Sequence, residues 1–296
     1  MSSRRVVIAG GSGFIGRAVV TELQHAGYEP IVLSRTAGAG RVVWDDASTA
    51  MDGAAGLINL VGEPINQPWT PEARTRILNS RVGAVRRLAD LLRPLPQRPL
   101  VWVQGSATGY YGDRGDEVLD ETSMPGRNGH FLVDTCLAWE DAFVQACPAD
   151  VRPVRVRTGF VLGKDGGAFP LLAGLTRRFL GGAVGNGQQW LSWIHLTDIA
   201  RMLVFAVAQA TPTVLNGTAP EPARNGEFMA ALRHAYGRPW VPPAPAFAMS
   251  VVGKLGGPDP SLVLESQHAV PNAALAAGFT FTFARLDESL RDLTQA

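Results

Sequence analysis

The run Val6-Val7-Ile8-Ala9-Gly10-Gly11-Ser12-Gly13-Phe14-Ile15-Gly16 constrains the fold more than any other segment. Four apolar residues read as a buried strand, and the glycines at 10, 13 and 16 carry it straight into a helix. Gly10 permits the tight turn, Gly13 lets backbone approach a pyrophosphate, and Gly16 lets helix pack on strand. The helix N-terminus then offers free N–H groups and the positive end of its dipole to phosphate. Glycines at this spacing are weak evidence alone, but directly after a strand they are strong. Gly10, Gly11, Ser12, Gly13, Phe14, Ile15 and Gly16 are therefore the first candidate dinucleotide-binding residues.

Downstream, strand-like and helix-like segments alternate. Strands are expected at 6–9, 31–33, 41–44, 56–60, 100–104 and 151–156, with helices over 13–26 and 131–146. Thr70-Pro71 opens a further long helix, threonine as N-cap and proline in the first turn. Its buried face carries Ile77, Val85, Leu88 and Leu92, and Pro94 and Pro96 stop it. Such alternation predicts the α/β class: a Rossmann, doubly wound parallel sheet with helices on both faces. After residue 160 glycine and proline become dense, as expected of substrate-side insertions. A stiff connector, Trp240-Val241-Pro242-Pro243-Ala244-Pro245, divides a domain at 1–240 from a small C-terminal appendage at 241–296.

Composition narrows the function classes. The 296 residues are 46% hydrophobic and carry a net charge of +1, so a full core is available and no basic field invites nucleic acid. No apolar run reaches the roughly 20 residues of a membrane-spanning helix. Cys136 and Cys147 stand eleven apart on one expected helix, too far to bond, and are read as reduced, as in a cytoplasm. His25, His130, His195, His234 and His268 are scattered without metal-ligand spacing. The expected partner is a small molecule of unknown identity, not nucleic acid or membrane, and a homodimer is left open.

Cofactor choice is read at the end of the second strand. An acidic side chain there binds a ribose 2′-hydroxyl, whereas arginine accommodates a 2′-phosphate. This chain has Ser34-Arg35-Thr36 and no carboxylate, so NADP is expected. Leu60, Val61 and Gly62 follow the fourth strand and line the crevice, with Asn59 either a contact or a turn residue.

With these residues in hand, the chain resembles the extended short-chain dehydrogenase/reductases, and within them the atypical NAD-dependent epimerase/dehydratase-like "epimerase family protein" group. The likeness runs through Gly10–Gly16, Ser34-Arg35, Asn59–Ile65, Ser80-Arg81, Gly109-Tyr110-Tyr111-Gly112, Trp139-Glu140, Arg157-Thr158-Gly159, Gly166-Gly167-Ala168 and Ser192–His195. Leu264-Glu265-Ser266-Gln267 and Gly278-Phe279 look like that group's C-terminal domain of unknown function. The resemblance implies a Rossmann fold, NADP binding with Arg81 and Val161 beside the dinucleotide, and a substrate cleft under the C-terminal region. It implies no particular substrate.

One departure is chemical. Short-chain dehydrogenases carry a Tyr-x-x-x-Lys pair that moves the proton during hydride transfer. With Glu140 aligned to the glutamate that often follows the pair, Leu132 stands at the tyrosine place and Cys136 at the lysine place. Ser106 is then expected to orient a substrate oxygen, and Tyr110 or Tyr111 to move the proton unless both merely pack the loop. Arg157 is read as an anion site or a structural ion pair, His195 as structural, and the glycine-rich 181–190 with Trp190 and Trp193 as a lid or a plain connection. Two functions are compatible with these residues: an NADP-dependent oxidoreductase or epimerase-like enzyme, or an NADP-binding sensor or scaffold with little turnover.

Overall fold

The computed structural model describes residues 4–246 and 259–295. Strand β1 (Arg5–Ala9) leads through the glycine loop into α1 (Phe14–His25), then β2 (Glu29–Ser34) and β3 (Arg41–Val43). Helix α2 (Ala47–Met51) precedes β4 (Gly56–Asn59), and α3 (Pro71–Leu92) precedes β5 (Val101–Ala107). A 3-10 turn at Thr108–Tyr111 and strand β6 (Val118–Leu119) lead to α4 (Phe131–Ala146), β7 (Arg152–Thr158) and β8 (Phe160–Leu162). Next come α5 (Phe169–Arg177), β9 (Trp190–Leu191), β10 (Trp193–His195), α6 (Leu196–Ala208), β11 (Val214–Gly217), β12 (Ala223–Arg224) and α7 (Asn225–Ala235). The last stretch holds α8 (Ser261–Leu264), β13 (His268–Ala269), α9 (Asn272–Ala276) and α10 (Leu286–Thr294).

Seven strands pair in parallel in the order β3-β2-β1-β4-β5-β7-β11. Both faces are covered, so alternate strand residues enter different cores. Val6 and Ile8 join Val101, Val103, Val154 and Val156 on one side. Val7 and Ala9 join Leu57 and Trp102 on the other. That is why β1 reads as an unbroken apolar run rather than an alternating one. The order reverses between β1 and β4, and the loops leaving their carboxyl ends part there to open a crevice.

Several expected boundaries move. The third strand stops at Val43 because Trp44 starts a 3-10 turn. The fifth extends to Ala107 and the sixth to Thr158, and β11 adds an edge strand the sequence reading lacked. The connector before residue 246 is pinned, with Ala244 N donating to Ala183 O and Gly185 N to Ala244 O. Part of the expected appendage, 247–258, lies outside the described residues. The remainder of the C-terminal region packs into the body: Ala274 and Phe279 join the β1 core, and Leu290 and Leu293 join Trp193 and Phe228.

Candidate active site at the carboxyl edge of the sheet

The glycine loop abuts the residues that follow β4, and these in turn abut Arg81. Gly13 N donates to Gly10 O at 3.0 Å, closing the turn. Gly10 has φ +85°, and a Cβ there would lie 2.8 Å from the Leu60 carbonyl carbon. A Cβ on Gly16 would lie 2.2 Å from Gly10 O, so α1 reaches the strand only through glycine. Gly13 caps α1 with no side-chain hydrogen bond, and Ser12 and Gly13 are exposed, so the amides of the first turn face outward uncapped. Phe14 lies against the turn at 163–167, where Cβ atoms on Gly163 or Gly166 would clash with its ring.

Leu60 and Val61 are half-buried beside this loop, and Leu60 N donates to Ala9 O. Asn59 is fully buried, donating to Gln104 Oε1 and accepting from Val61 N, which makes it a turn residue. Gly62 abuts the Arg81 guanidinium, whose Nη1 donates to Glu63 O and Ile77 O while its Cζ lies 5.1 Å from the Trp139 ring. Burial holds Arg81 below the usual arginine range. At the end of β2, Ser34 Oγ accepts from Thr36 N, and Arg35 is exposed with no partner among the described residues. Val161 sits in β8, half-buried against the β1 core.

Arg81 also lines a cleft of about 160 Å³ at the carboxyl ends of β5 and β7. Its floor is Ala107, Thr108 and Thr158. One wall is α4, presenting Leu132, Thr135, Cys136 and Trp139. The opposite side is Trp190 with the C-terminal strap, Ser261, Leu262, Glu265 and Gln267. The strap is tied down where β13 pairs with β6, where Ser266 Oγ donates to Gly115 O, and where Ser192 Oγ donates to Gln267 O. Leu132 and Cys136, the residues expected at the tyrosine and lysine places, thus face the cleft. Burial, reinforced by Glu140, pushes the Cys136 thiol up to about 12, which leaves it protonated and unreactive.

The three expected catalytic hydroxyls do not line this cleft. Ser106 is buried and donates to Glu140 Oε1 at 2.7 Å. Tyr111 is fully buried, its hydroxyl donating toward Asp120 O and Asn216 Oδ1 and accepting from Arg157 Nη1. Burial raises this phenol to about 12, although Arg157 pulls the other way. Tyr110 is half-buried with its ring 3.4 Å from the Arg157 Cζ. Arg157 is therefore a structural ion pair: Nε and Nη2 reach the two Glu140 oxygens at 2.9 and 3.0 Å. Burial opposes its charge, but Glu140 more than offsets that and holds the guanidinium above its ordinary value.

Other expected features divide. Trp190 lines the cleft and stacks on His268 at 3.9 Å, whereas Trp193 is core and donates to Glu221 O. His195 caps α6, accepting from Thr197 N. Thr108, Thr135 and Glu265 were not singled out from the sequence. Strand periodicity places 106 and 108 on one face, but β5 ends at Ala107 and the 3-10 turn redirects Thr108 into the cleft. Glu265 was marked only as part of the Leu264–Gln267 stretch that resembles the C-terminal domain, and it reaches the site through the strap.

This arrangement, a parallel sheet with a glycine loop at its switch point and a cleft under a C-terminal strap, defines a Rossmann-type short-chain dehydrogenase/reductase. The NAD dependent epimerase/dehydratase family model matches residues 6–216, and the chain belongs to that family. A second model, a domain of unknown function (DUF1731), matches 244–293. The chain is 35% identical to the human epimerase family protein SDR39U1, covering 98% of this chain and 99% of that protein. It is 34% identical to the chloroplastic homolog from Arabidopsis thaliana, covering 99% and 88%. A crystal structure of the human protein with NADPH superposes with a TM-score of 0.90 at 34% identity, covering 98% and 99%. Among the described residues no helix is long and apolar enough to cross a membrane, and no His, Cys, Asp and Glu cluster suits a metal.

Proposed function

We propose that the chain is an NADP-dependent oxidoreductase or epimerase-like enzyme acting on a small carbonyl or hydroxyl compound. The observation that carries this reading is the chain of close approaches from the glycine loop to Leu60 and from Gly62 to Arg81, a residue that also lines the cleft. The human relative crystallised with NADPH supports it. In this reading the loop at 10–16 holds the pyrophosphate and Ser34, Arg35 and Thr36 meet the 2′-phosphate. Leu60, Val61, Gly62, Arg81 and Val161 flank the remainder. The exposed, unpartnered Arg35 favours NADP over NAD. When bound, the cofactor supplies or accepts a hydride at carbon. The chain itself must orient the substrate, exclude water and handle a proton. Ser106 is committed to Glu140, so Thr108 takes over the orienting role. Two free cysteines fit a reducing, cytoplasm-like compartment.

A second reading, an NADP-binding sensor or scaffold, is favoured by Leu132 and the inert Cys136 at the places of the proton-moving pair. Binding titrations with NADPH and NADH, followed by NADPH oxidation against a panel of aldehydes and ketones, separate the readings. Tight NADPH binding with turnover of a panel member is expected. Binding without turnover across the panel favours the sensor, and no binding overturns both.

A further inference from the structure

Resting on the enzymatic reading above, we infer that Glu265, held against His130, is the acid–base residue of the cleft and stands in for the missing tyrosine. Glu265 lines the cleft from the C-terminal strap, and its side chain is 11% exposed. His130 Nε2, at the N-cap of α4, lies 3.0 Å from Glu265 Oε1 and is the one ion-pair partner of that carboxyl among the described residues. His130 is itself 40% exposed although its Nδ1 is buried, so the imidazole sets the carboxyl at the edge of solvent.

The alternatives are closed by geometry. Tyr111 is locked in the Arg157 network, Tyr110 is stacked on Arg157, and Cys136 is a protonated thiol. Arg81 lines the far side but spends its donors on Glu63 O and Ile77 O. Among the described residues that line the cleft, Glu265 is the one carboxyl.

Its surroundings suit the task. Burial pushes the Glu265 carboxyl above the usual carboxylate range, His130 pulls it down, and the carboxylates of Asp113 and Asp259 push it up again, with Ser261 a smaller opposing contact. Across the cleft the titratable groups are Arg81 and Cys136. A carboxyl raised by burial in an apolar cleft is the pattern of a general acid. In the reducing direction the carbonyl carbon gains hydride from the reduced dinucleotide. The Glu265 O–H bond breaks as the new O–H bond forms on the substrate oxygen. The carboxylate is reprotonated by solvent at the exposed edge beside His130. In the oxidising direction each transfer reverses.

The walls indicate a probe. Leu132, Trp139, Phe160, Trp190 and Leu191 make the cleft largely apolar, and its volume admits a compact molecule. 4-Nitrobenzaldehyde, flat and uncharged, is the probe carbonyl.

The test has two arms. In the first, pH-difference infrared spectra of the protein without added cofactor are compared with those of Glu265→Gln. A protonated carboxyl that titrates above the ordinary glutamate value of about 4.3, and is missing from the variant, is expected; its absence from the wild type overturns the inference. In the second, NADPH-driven reduction of the aldehyde is followed. Glu265→Gln is expected to bind NADPH normally and to lose about 100-fold or more in kcat. His130→Ala is expected to move the falling limb of the pH profile to higher pH, because the imidazole no longer draws the carboxyl down. An unchanged kcat and pH profile in Glu265→Gln overturns the inference and leaves the enzymatic reading standing. A wild type that binds NADPH but leaves the aldehyde untouched, or that fails to bind NADPH, removes the reading beneath it.

Discussion

Arg35 and Arg157 both stand at the carboxyl ends of sheet strands, and their surroundings give them opposite roles. Arg35 is exposed and unpartnered, so its charge is available to a ligand. Truncating it removes charge-assisted bonds of about 1.5–3 kcal/mol. Arg35→Ala should therefore weaken NADP about 10- to 100-fold and NAD hardly at all, measured by calorimetric titration of each. Equal weakening of the two removes the 2′-phosphate role. Arg157 is already neutralised by Glu140, which also accepts from Ser106 and Arg155. Glu140→Gln strands a buried guanidinium, and thermal unfolding should show a loss of about 3–5 kcal/mol. This contrast was only half legible in the sequence. Arg35 could be placed because it directly follows the second strand, where it stands exposed as its proposed role requires. Arg157 and Ser106 could not, since their roles depend on Glu140, which comes from a separate helix and settles which way both side chains turn.

Elements were readable where a local rule fixes them. Thr70 Oγ1 accepts from Ala73 N with Pro71 in the first turn, as the dipeptide implies, and Ile77, Val85, Leu88 and Leu92 are all fully buried. The β1–α1 junction is the strongest case. Gly16→Ala would place a methyl 2.2 Å from Gly10 O and 2.6 Å from Gly11 Cα, both backbone atoms that cannot swing aside. Overpacking of this kind costs about 1–3 kcal/mol. Because it distorts the pyrophosphate loop, it should weaken NADP and NAD alike, unlike Arg35→Ala. Loss of NADP affinity alone would show that the loop does not hold the shared part of the two dinucleotides. Strand ends were less legible. The extra residues of β5, 105–107, carry Gly105, Ser106 and Ala107, none with a strand preference of its own, and they are held by pairing to β7. That extension decides which hydroxyls reach the cleft.

At the scale of the whole molecule, the chain after α9 is latched to the body by one turn of α6. Asp198, fully buried, accepts from Thr282 N and Phe283 N at 2.7 and 2.8 Å. Beside it His195 packs on Phe283, with ring centroids 4.0 Å apart, and lies 3.4 Å from Asp292 on α10. None of this was legible in sequence, because the partners lie more than eighty residues apart. Burial holds His195 below its ordinary value, with Lys164 adding to the effect and Asp292 and Asp198 opposing it. His268, stacked on Trp190 beneath the strap, is lowered by burial too. The folded chain therefore refuses protons that the unfolded chain accepts. Their contribution to stability is complete above the unfolded histidine value of about 6.5 and is lost as pH falls from there through the folded values. Glu265 has the opposite sign, since its raised carboxyl favours the folded state as pH falls. The histidine contribution is isolated by difference. Thermal unfolding compared between about pH 8 and about pH 5.5, on either side of the unfolded histidine value, should show falling stability in the wild type and a shallower slope in His195→Gln. Parallel slopes would place the acid sensitivity elsewhere than the latch. Because the strap that carries Glu265 is held separately, by the pairing of β13 with β6 and by Ser192 on Gln267, loosening the latch alone should lower stability on the acid side while leaving the cleft's carboxyl in place.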